Sequence, residues 1–167
     1  MNKERGYHVS LYAVFLFYVF ILLMMLLINR RSYHSINIVP FRTIITYLAS
    51  DDIIAQSFKI SNLAGNILLF LPLGIYFIIF FKNKKIGINT LRIIGISCII
   101  EIIQYIFQRG ASDIDDVILN GLGGFIGICL YEILLFVLKS EIKVRHFVAV
   151  FAPIAGIVLL VMIMKFS

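Results

Sequence analysis

The side chains in this sequence that could do chemistry concentrate where one long apolar run ends and the next begins. They are carboxylates and amides at helical spacing in both runs: Glu101, Gln104, Asp113, Asp116 and Asn120. Polar groups inside apolar sequence are costly unless they meet each other, water or a ligand. This stretch is therefore the first candidate for a functional site.

The residue types suggest specific roles. The catalytic candidates are Glu101, Asp113 and Asp116, with Glu101 as proton donor or acceptor and the two aspartates orienting a substrate or cation. The predicted ligand-binding residues are Asn66, Gln104, Arg109 and Asn120. These side chains offer hard oxygen ligands, so any metal would be magnesium or calcium. We predict no metal site and no cofactor.

Composition determines the class of protein that must position these residues. The sequence is 61% hydrophobic and 14% charged and has no tryptophan. No soluble domain of this length would carry so much apolar surface. We therefore predict an all-α, polytopic membrane bundle that forms a single domain over residues 1–167. Cys98 and Cys129 fall within apolar runs and are expected to act as small apolar residues.

Several apolar runs are long enough to cross a bilayer. The sequence predicts five spans, at Val9–Ile28, Asn62–Phe81, Leu91–Phe107, Val117–Leu138 and Phe147–Met164. Pro72 lies within the second span, where a proline often bends a membrane helix. Gly123 and Gly127, one turn apart in the fourth, predict close approach of a neighbouring helix.

The long connection Asn29–Ser61 separates the first two predicted spans. Its apolar residues at helical spacing predict a short helix lying in the membrane interface: Phe41, Ile44, Ile45 and Leu48. An irregular covering loop is the alternative for this segment. A second bend is predicted at Arg109–Ser112, between the third and fourth spans.

Basic residues are unevenly divided between the two ends of the predicted bundle. The positive-inside bias predicts a cytoplasmic N-terminus and a C-terminus outside. In this topology Asn66, Glu101 and Asn120 reach similar depth from the outer side. The sequence therefore predicts a shallow pocket in the outer leaflet, roofed by the loop around Pro40.

The chain strongly resembles the VanZ-like membrane proteins in four linked motifs: NIVPF from Asn37, NILLFLPLG from Asn66, EIIQ from Glu101 and DIDDVILN from Asp113. The resemblance covers about residues 37–131. It implies a small bacterial plasma-membrane protein, and the best-known member of the family is linked to resistance to the lipid-tailed glycopeptide teicoplanin. The polar positions of the family fall on Asn66, Glu101, Gln104, Asp113, Asp116 and Asn120.

Three hypotheses follow for the polar residues. The first is a non-enzymatic module that binds or shields a membrane lipid, a lipid-linked cell-wall precursor or a lipoglycopeptide antibiotic at the outer surface, with no nucleic-acid partner. The second is an enzyme that modifies a lipid-linked precursor or phospholipid head group through Glu101 and the aspartates. The third is purely structural, with the polar set joining helices. The first is favoured, and the oligomeric state is left open.

Overall fold

The computed structural model describes residues 2–28, 34–49, 53–81, 85–107 and 110–166. In these residues the order of elements is α1 Asn2–Ile28, β1 His34–Asn37, α2 Arg42–Leu48, α3 Ile53–Phe81, α4 Ile86–Ile106, β2 Gly110–Asp113, α5 Ile114–Leu138 and α6 Glu141–Phe166. The predicted all-α bundle is confirmed, with one small sheet added to it.

Among the described residues, three helices are long and apolar enough to cross a membrane, at Ile60–Phe81, Ile86–Ile106 and Ile114–Leu138. They correspond to the second, third and fourth predicted spans. The first and last predicted spans lie within α1 and α6, and α1 carries a shorter apolar stretch at Leu11–Met24. Five membrane crossings therefore remain a prediction, of which the central three have the required length and composition in the part of the chain that the structure describes.

Glycines bring α3 and α5 into direct backbone contact. A Cβ atom placed on Gly123 would overlap the carbonyl oxygen of Ile67, and one on Gly127 would overlap that of Leu71. The partner of Gly127 lies four residues after the partner of Gly123, just as Gly127 lies four residues after Gly123. The two helices therefore run parallel. The close approach predicted from the glycine spacing is confirmed, and α3 is the partner.

The helix α4 runs antiparallel to α5 and closes the other side of this pair. Ile94 of α4 packs on Gly121, while Ile93 packs on Gly124, further along α5. On the opposite side, Tyr18 of α1 donates a hydrogen bond to the Leu69 carbonyl at 2.6 Å. These contacts place α3 in the centre of the bundle.

The two strands form the part of the fold that the sequence did not indicate. β1 and β2 pair in parallel, with His34 opposite Gly110 and Asn37 opposite Asp113. The predicted bend at Arg109–Ser112 is thus wrong over Gly110–Ser112, where the chain is extended and paired. The predicted connection Asn29–Ser61 is also too long, because α3 already begins at Ile53.

The short helix predicted after Pro40 is present as α2. The sheet and α2 lie where α4 ends and α5 begins. α4 begins at the opposite end of the bundle, where α3 and α5 end. The fold therefore gathers the polar residues of α3, α4 and α5 at one end, beneath the β1–α2 segment.

Candidate functional site

The site is built around the first turn of α5. Asp113 is the N-cap of this helix, and its side chain accepts a hydrogen bond from the Asp115 amide at 2.9 Å. Such a cap satisfies one of the backbone donors that a helix start leaves unpaired. The Asp113 amide in turn donates to Glu101 Oε2 at 3.0 Å. One capping residue thus joins the start of α5 to the buried end of α4.

The Asp113 carboxylate also binds the segment that precedes α3. It accepts hydrogen bonds from Asn37 Nδ2 at 2.9 Å and from the Thr43 hydroxyl. Asn37 is the last residue of β1, and Thr43 lies in the first turn of α2. Asp113 therefore links the start of α5 to β1 and α2, which lie much earlier in the sequence.

Asp115 holds the start of α2 through backbone bonds alone. Its Oδ1 accepts from the Phe41 amide, and its Oδ2 accepts from the amides of Thr43 at 2.8 Å and Ile44 at 3.1 Å. Asp115 is fully buried, so these charge-assisted bonds lie away from water. Phe41 has a φ of 64°, a left-handed conformation that costs a non-glycine residue about 1–2 kcal/mol. The Asp115 clamp offsets that cost.

Two amide side chains make further bonds between helices. Asn66 of α3 donates to Asp116 Oδ1 of α5 at 2.6 Å. One turn further along α5, Asn120 donates through Nδ2 to the Ser97 hydroxyl of α4 at 2.9 Å. These bonds join the three helices at successive levels below the first turn of α5.

Most members of this cluster are shielded from solvent, while Asn37, Thr43 and Asp116 are partly buried. Glu101 is 4% exposed, while Gln104 and Ser97 are fully buried. Asn120 is 1% exposed, and within the described ranges its Oδ1 atom accepts no hydrogen bond. A buried amide oxygen without a donor costs about 1–3 kcal/mol. A hydrogen-bond donor placed at this atom would therefore be favourable.

The structure brings six of the seven predicted site residues into the same region of the bundle: Asn66, Glu101, Gln104, Asp113, Asp116 and Asn120. Arg109, the seventh, lies outside the described residues. The β1–α2 segment around Pro40 lies against the start of α5, which agrees with the predicted roof.

Four residues that complete the cluster were not predicted from the sequence: Asn37, Thr43, Ser97 and Asp115. Asp115 could have been noticed, because three aspartates within four residues at a helix start indicate capping. Ser97 gives no comparable signal, since a single serine in an apolar helix is common. Asn37 and Thr43 join the cluster only because the fold places the β1–α2 segment against α5, and the sequence around them does not indicate that contact.

The chemistry of the cluster is that of oxygen acceptors held by amide and hydroxyl donors. The carboxylates of Asp113 and Asp115 accept hydrogen bonds from the β1–α2 segment, so these two residues position that segment. Among the residues of known placement, no three His, Cys, Asp or Glu side chains come together as metal ligands. The catalytic roles assigned to Glu101, Asp113 and Asp116 remain predictions.

Comparison with known proteins shows which family the chain belongs to. The family model described as VanZ/LLP1 matches residues 9–136. The chain is 33% identical to Protein VanZ of Enterococcus faecium over 102 residues, which are 60% of this chain and 55% of that relative. The chain thus spans little more than half the length of this relative. No solved structure matches it. The family match covers most of the chain, from α1 to the end of α5, and the protein therefore belongs to the VanZ/LLP1 family.

Proposed function

We propose that this protein binds or shields a lipid-anchored ligand at the outer face of the bacterial plasma membrane. The proposed ligands are a membrane lipid, a lipid-linked cell-wall precursor or a lipid-tailed glycopeptide such as teicoplanin. One observation carries the proposal: a buried polar cluster joins three apolar helices at one end of the bundle, directly beneath the β1–α2 segment. The link to teicoplanin resistance rests on the family resemblance alone.

The hydrogen bonds of the cluster support a binding role. Asp113 and Asp116 accept bonds from the Asn37 and Asn66 amides, which hold the carboxylates in fixed positions. Asn120 Oδ1, which accepts no hydrogen bond from the described residues, gives the cluster an acceptor for a ligand. Ligands that carry both an acyl tail and hydrogen-bond donors match an acceptor cluster set among membrane helices.

The first experiment measures drug susceptibility in a sensitive Gram-positive host. Wild type and Glu101→Gln are expressed at matched membrane levels, and growth is followed in teicoplanin and in vancomycin. An amide keeps the size of Glu101 and most of its hydrogen-bonding capacity but removes its charge. We expect wild type to protect selectively against the lipid-tailed drug and Glu101→Gln to lose that protection.

Glu132→Gln provides the matched control. Glu132 lies on α5 more than four helical turns after Asp116. Glu132→Gln therefore makes the same chemical change at a position far from the cluster. We expect this variant to protect like wild type. Full protection by Glu101→Gln would leave the structural hypothesis as the better account. A changed lipid or precursor mass in cells expressing wild type would support the enzyme hypothesis instead.

A further inference from the structure

The surface of the β1–α2 segment is apolar where the segment faces away from the protein. Six side chains between Ile36 and Leu48 are more than half exposed, and we call them the outward face: Ile36, Ile38, Val39, Phe41, Ile45 and Leu48. Large apolar side chains exposed together on one short segment indicate a binding surface for an apolar partner.

The helix α2 exposes large apolar side chains that a helix on a soluble core would bury. Its partly shielded residues are Thr43, Ile44 and Tyr47, and Thr43 is bound to two aspartates, whereas the neighbouring Phe41, Ile45 and Leu48 are exposed. An amphipathic helix normally packs its apolar stripe on the protein. Here the polar contacts hold the helix to the protein and leave the apolar stripe for another environment.

The hydrogen bonds of the β1–α2 segment fix the position of the outward face along the axis of the membrane helices. Phe41 is bonded to Asp115, which lies in the first turn of the membrane-spanning helix that begins at Ile114. The segment is therefore fixed at the level where α5 leaves the membrane. Nearby, α4 ends with Ile106 and Phe107, which are 65% and 68% exposed. The apolar surface of the membrane helices thus continues toward the segment.

We propose that the outward face inserts into the lipid leaflet and anchors the β1–α2 segment at the membrane interface. The exposed Arg42 lies next to Phe41 of this face, and an arginine at a membrane interface can place its guanidinium among lipid phosphates. The segment is held on one side by Asp113 and Asp115 and on the other by lipid. This inference concerns the bilayer alone and does not depend on the proposed drug-related function.

Tryptophan fluorescence tests the insertion directly, because the chain has no tryptophan of its own. Ile45→Trp and Leu48→Trp place a single emitter on the outward face, where exposure leaves room for the larger ring. Thr46→Trp is the matched control, since Thr46 is exposed on the same helix but lies about 100° around from Ile45. The purified variants are reconstituted into phosphatidylcholine and phosphatidylglycerol vesicles.

We expect lipids brominated near the carboxyl end of the acyl chain to quench Ile45→Trp and Leu48→Trp more strongly than Thr46→Trp. Aqueous acrylamide should show the reverse order. Equal bromine quenching of all three variants, with full acrylamide access, would place the face in water and overturn the inference. Protection from both quenchers that grows with the protein-to-lipid ratio would identify a second copy as the partner and would also overturn it.

A measurement on the unmodified chain keeps the inference testable if a tryptophan variant fails to fold. Wild-type protein is reconstituted with lipids that carry a photoactivatable diazirine near the glycerol, irradiated and digested. We expect adducts in the peptide that contains Ile38 and Ile45. Adducts in α4 and α5 without any in this peptide would show that the segment stays out of the leaflet.

Discussion

At the scale of single residues, Asp115 holds the β1–α2 segment in place. Its carboxylate accepts three backbone amides, from Phe41, Thr43 and Ile44. In Asp115→Asn one oxygen becomes an NH₂ group that faces other donors. We expect the loss of a charge-assisted bond, about 1.5–3 kcal/mol, to open α2 locally. Hydrogen exchange of the α2 amides should then be roughly ten- to hundredfold faster.

The control for this prediction is Asp113→Asn measured in the same way. Asp113 binds the segment through side chains and not through the amides of α2, so the amide effect should be smaller. Exchange in α6 should be unchanged in both variants. Unaltered protection of α2 in Asp115→Asn would mean that the helix is held by other contacts.

A substitution at Asn120 distinguishes a structural role of this residue from a role in ligand binding. A leucine at this position loses the bond to Ser97, worth about 0.6 kcal/mol between membrane helices. It also removes the amide oxygen that has no donor within the described part of the chain, and that removal is favourable. We expect Asn120→Leu to unfold within about 1 kcal/mol of wild type but to lose protection against teicoplanin.

Ser97→Ala is the control for Asn120, because it removes the same interhelical bond and keeps the amide. It should retain protection. If Asn120→Leu protects as well as wild type, the amide serves the bundle and not a ligand. Thermal unfolding in detergent and growth in the drug would be measured on the same preparations.

The residues of the cluster were predictable to the extent that they follow helical spacing. Asn66, Asp116 and Asn120 lie on faces that the sequence already indicated, and the structure brings them to neighbouring helices. Asp115 lies off that spacing, so its role becomes visible only when α2 is placed against α5. The spacing of residues along one helix does not show which residues of another segment will contact that helix.

At the scale of elements, the seam between α3 and α5 depends on glycine. In Gly123→Ala and Gly127→Ala the new methyl group would overlap the backbone carbonyls of Ile67 and Leu71, which cannot move without displacing α3. Overpacking of this kind costs typically 1–3 kcal/mol. We expect each variant to unfold at lower temperature in detergent and to reach the membrane in smaller amounts.

Gly95→Ala is the matched control for the seam. A Cβ atom at Gly95 of α4 meets nothing within 4 Å, so the methyl group adds helix propensity without a clash. Alanine is more favourable than glycine inside a helix by about 1 kcal/mol. Gly95→Ala should therefore be as stable as wild type or slightly more so. Equal stability of the Gly95 and Gly127 variants would show that the seam tolerates a wider spacing.

The helices were more predictable than the sheet, for a physical reason. A helix forms its hydrogen bonds within one segment, so apolar length and spacing indicate it directly. β1 and β2 are four residues each, and α2, α3 and α4 separate them in the sequence. Neither strand has a pattern of its own, and the side-chain bond from Asn37 to Asp113 joins a pair of residues that only the fold brings together. The early start of α3 was missed because Gln56, Ser57 and Lys59 interrupt its apolar run.

At the scale of the whole molecule, the helix directions define two different ends. One end carries the sheet, α2 and the polar cluster. The other carries the starts of α4 and α6, with the exposed basic residues Lys85, Arg92, Lys139 and Lys143. Cytoplasmic ends of membrane proteins are enriched in lysine and arginine. This separation of charge supports the proposal that the cluster lies on the outer side.

Cysteine labelling in intact cells tests this orientation. Cys98 and Cys129 are first replaced by alanine, and single cysteines are introduced as Thr46→Cys or Lys143→Cys, two exposed positions at opposite ends. A membrane-impermeant maleimide should label Thr46→Cys in intact cells and Lys143→Cys only after permeabilisation. The opposite order would place the cluster at the cytoplasmic leaflet. There it could not meet a ligand at the outer face, and the proposed function would fail although the fold would stand.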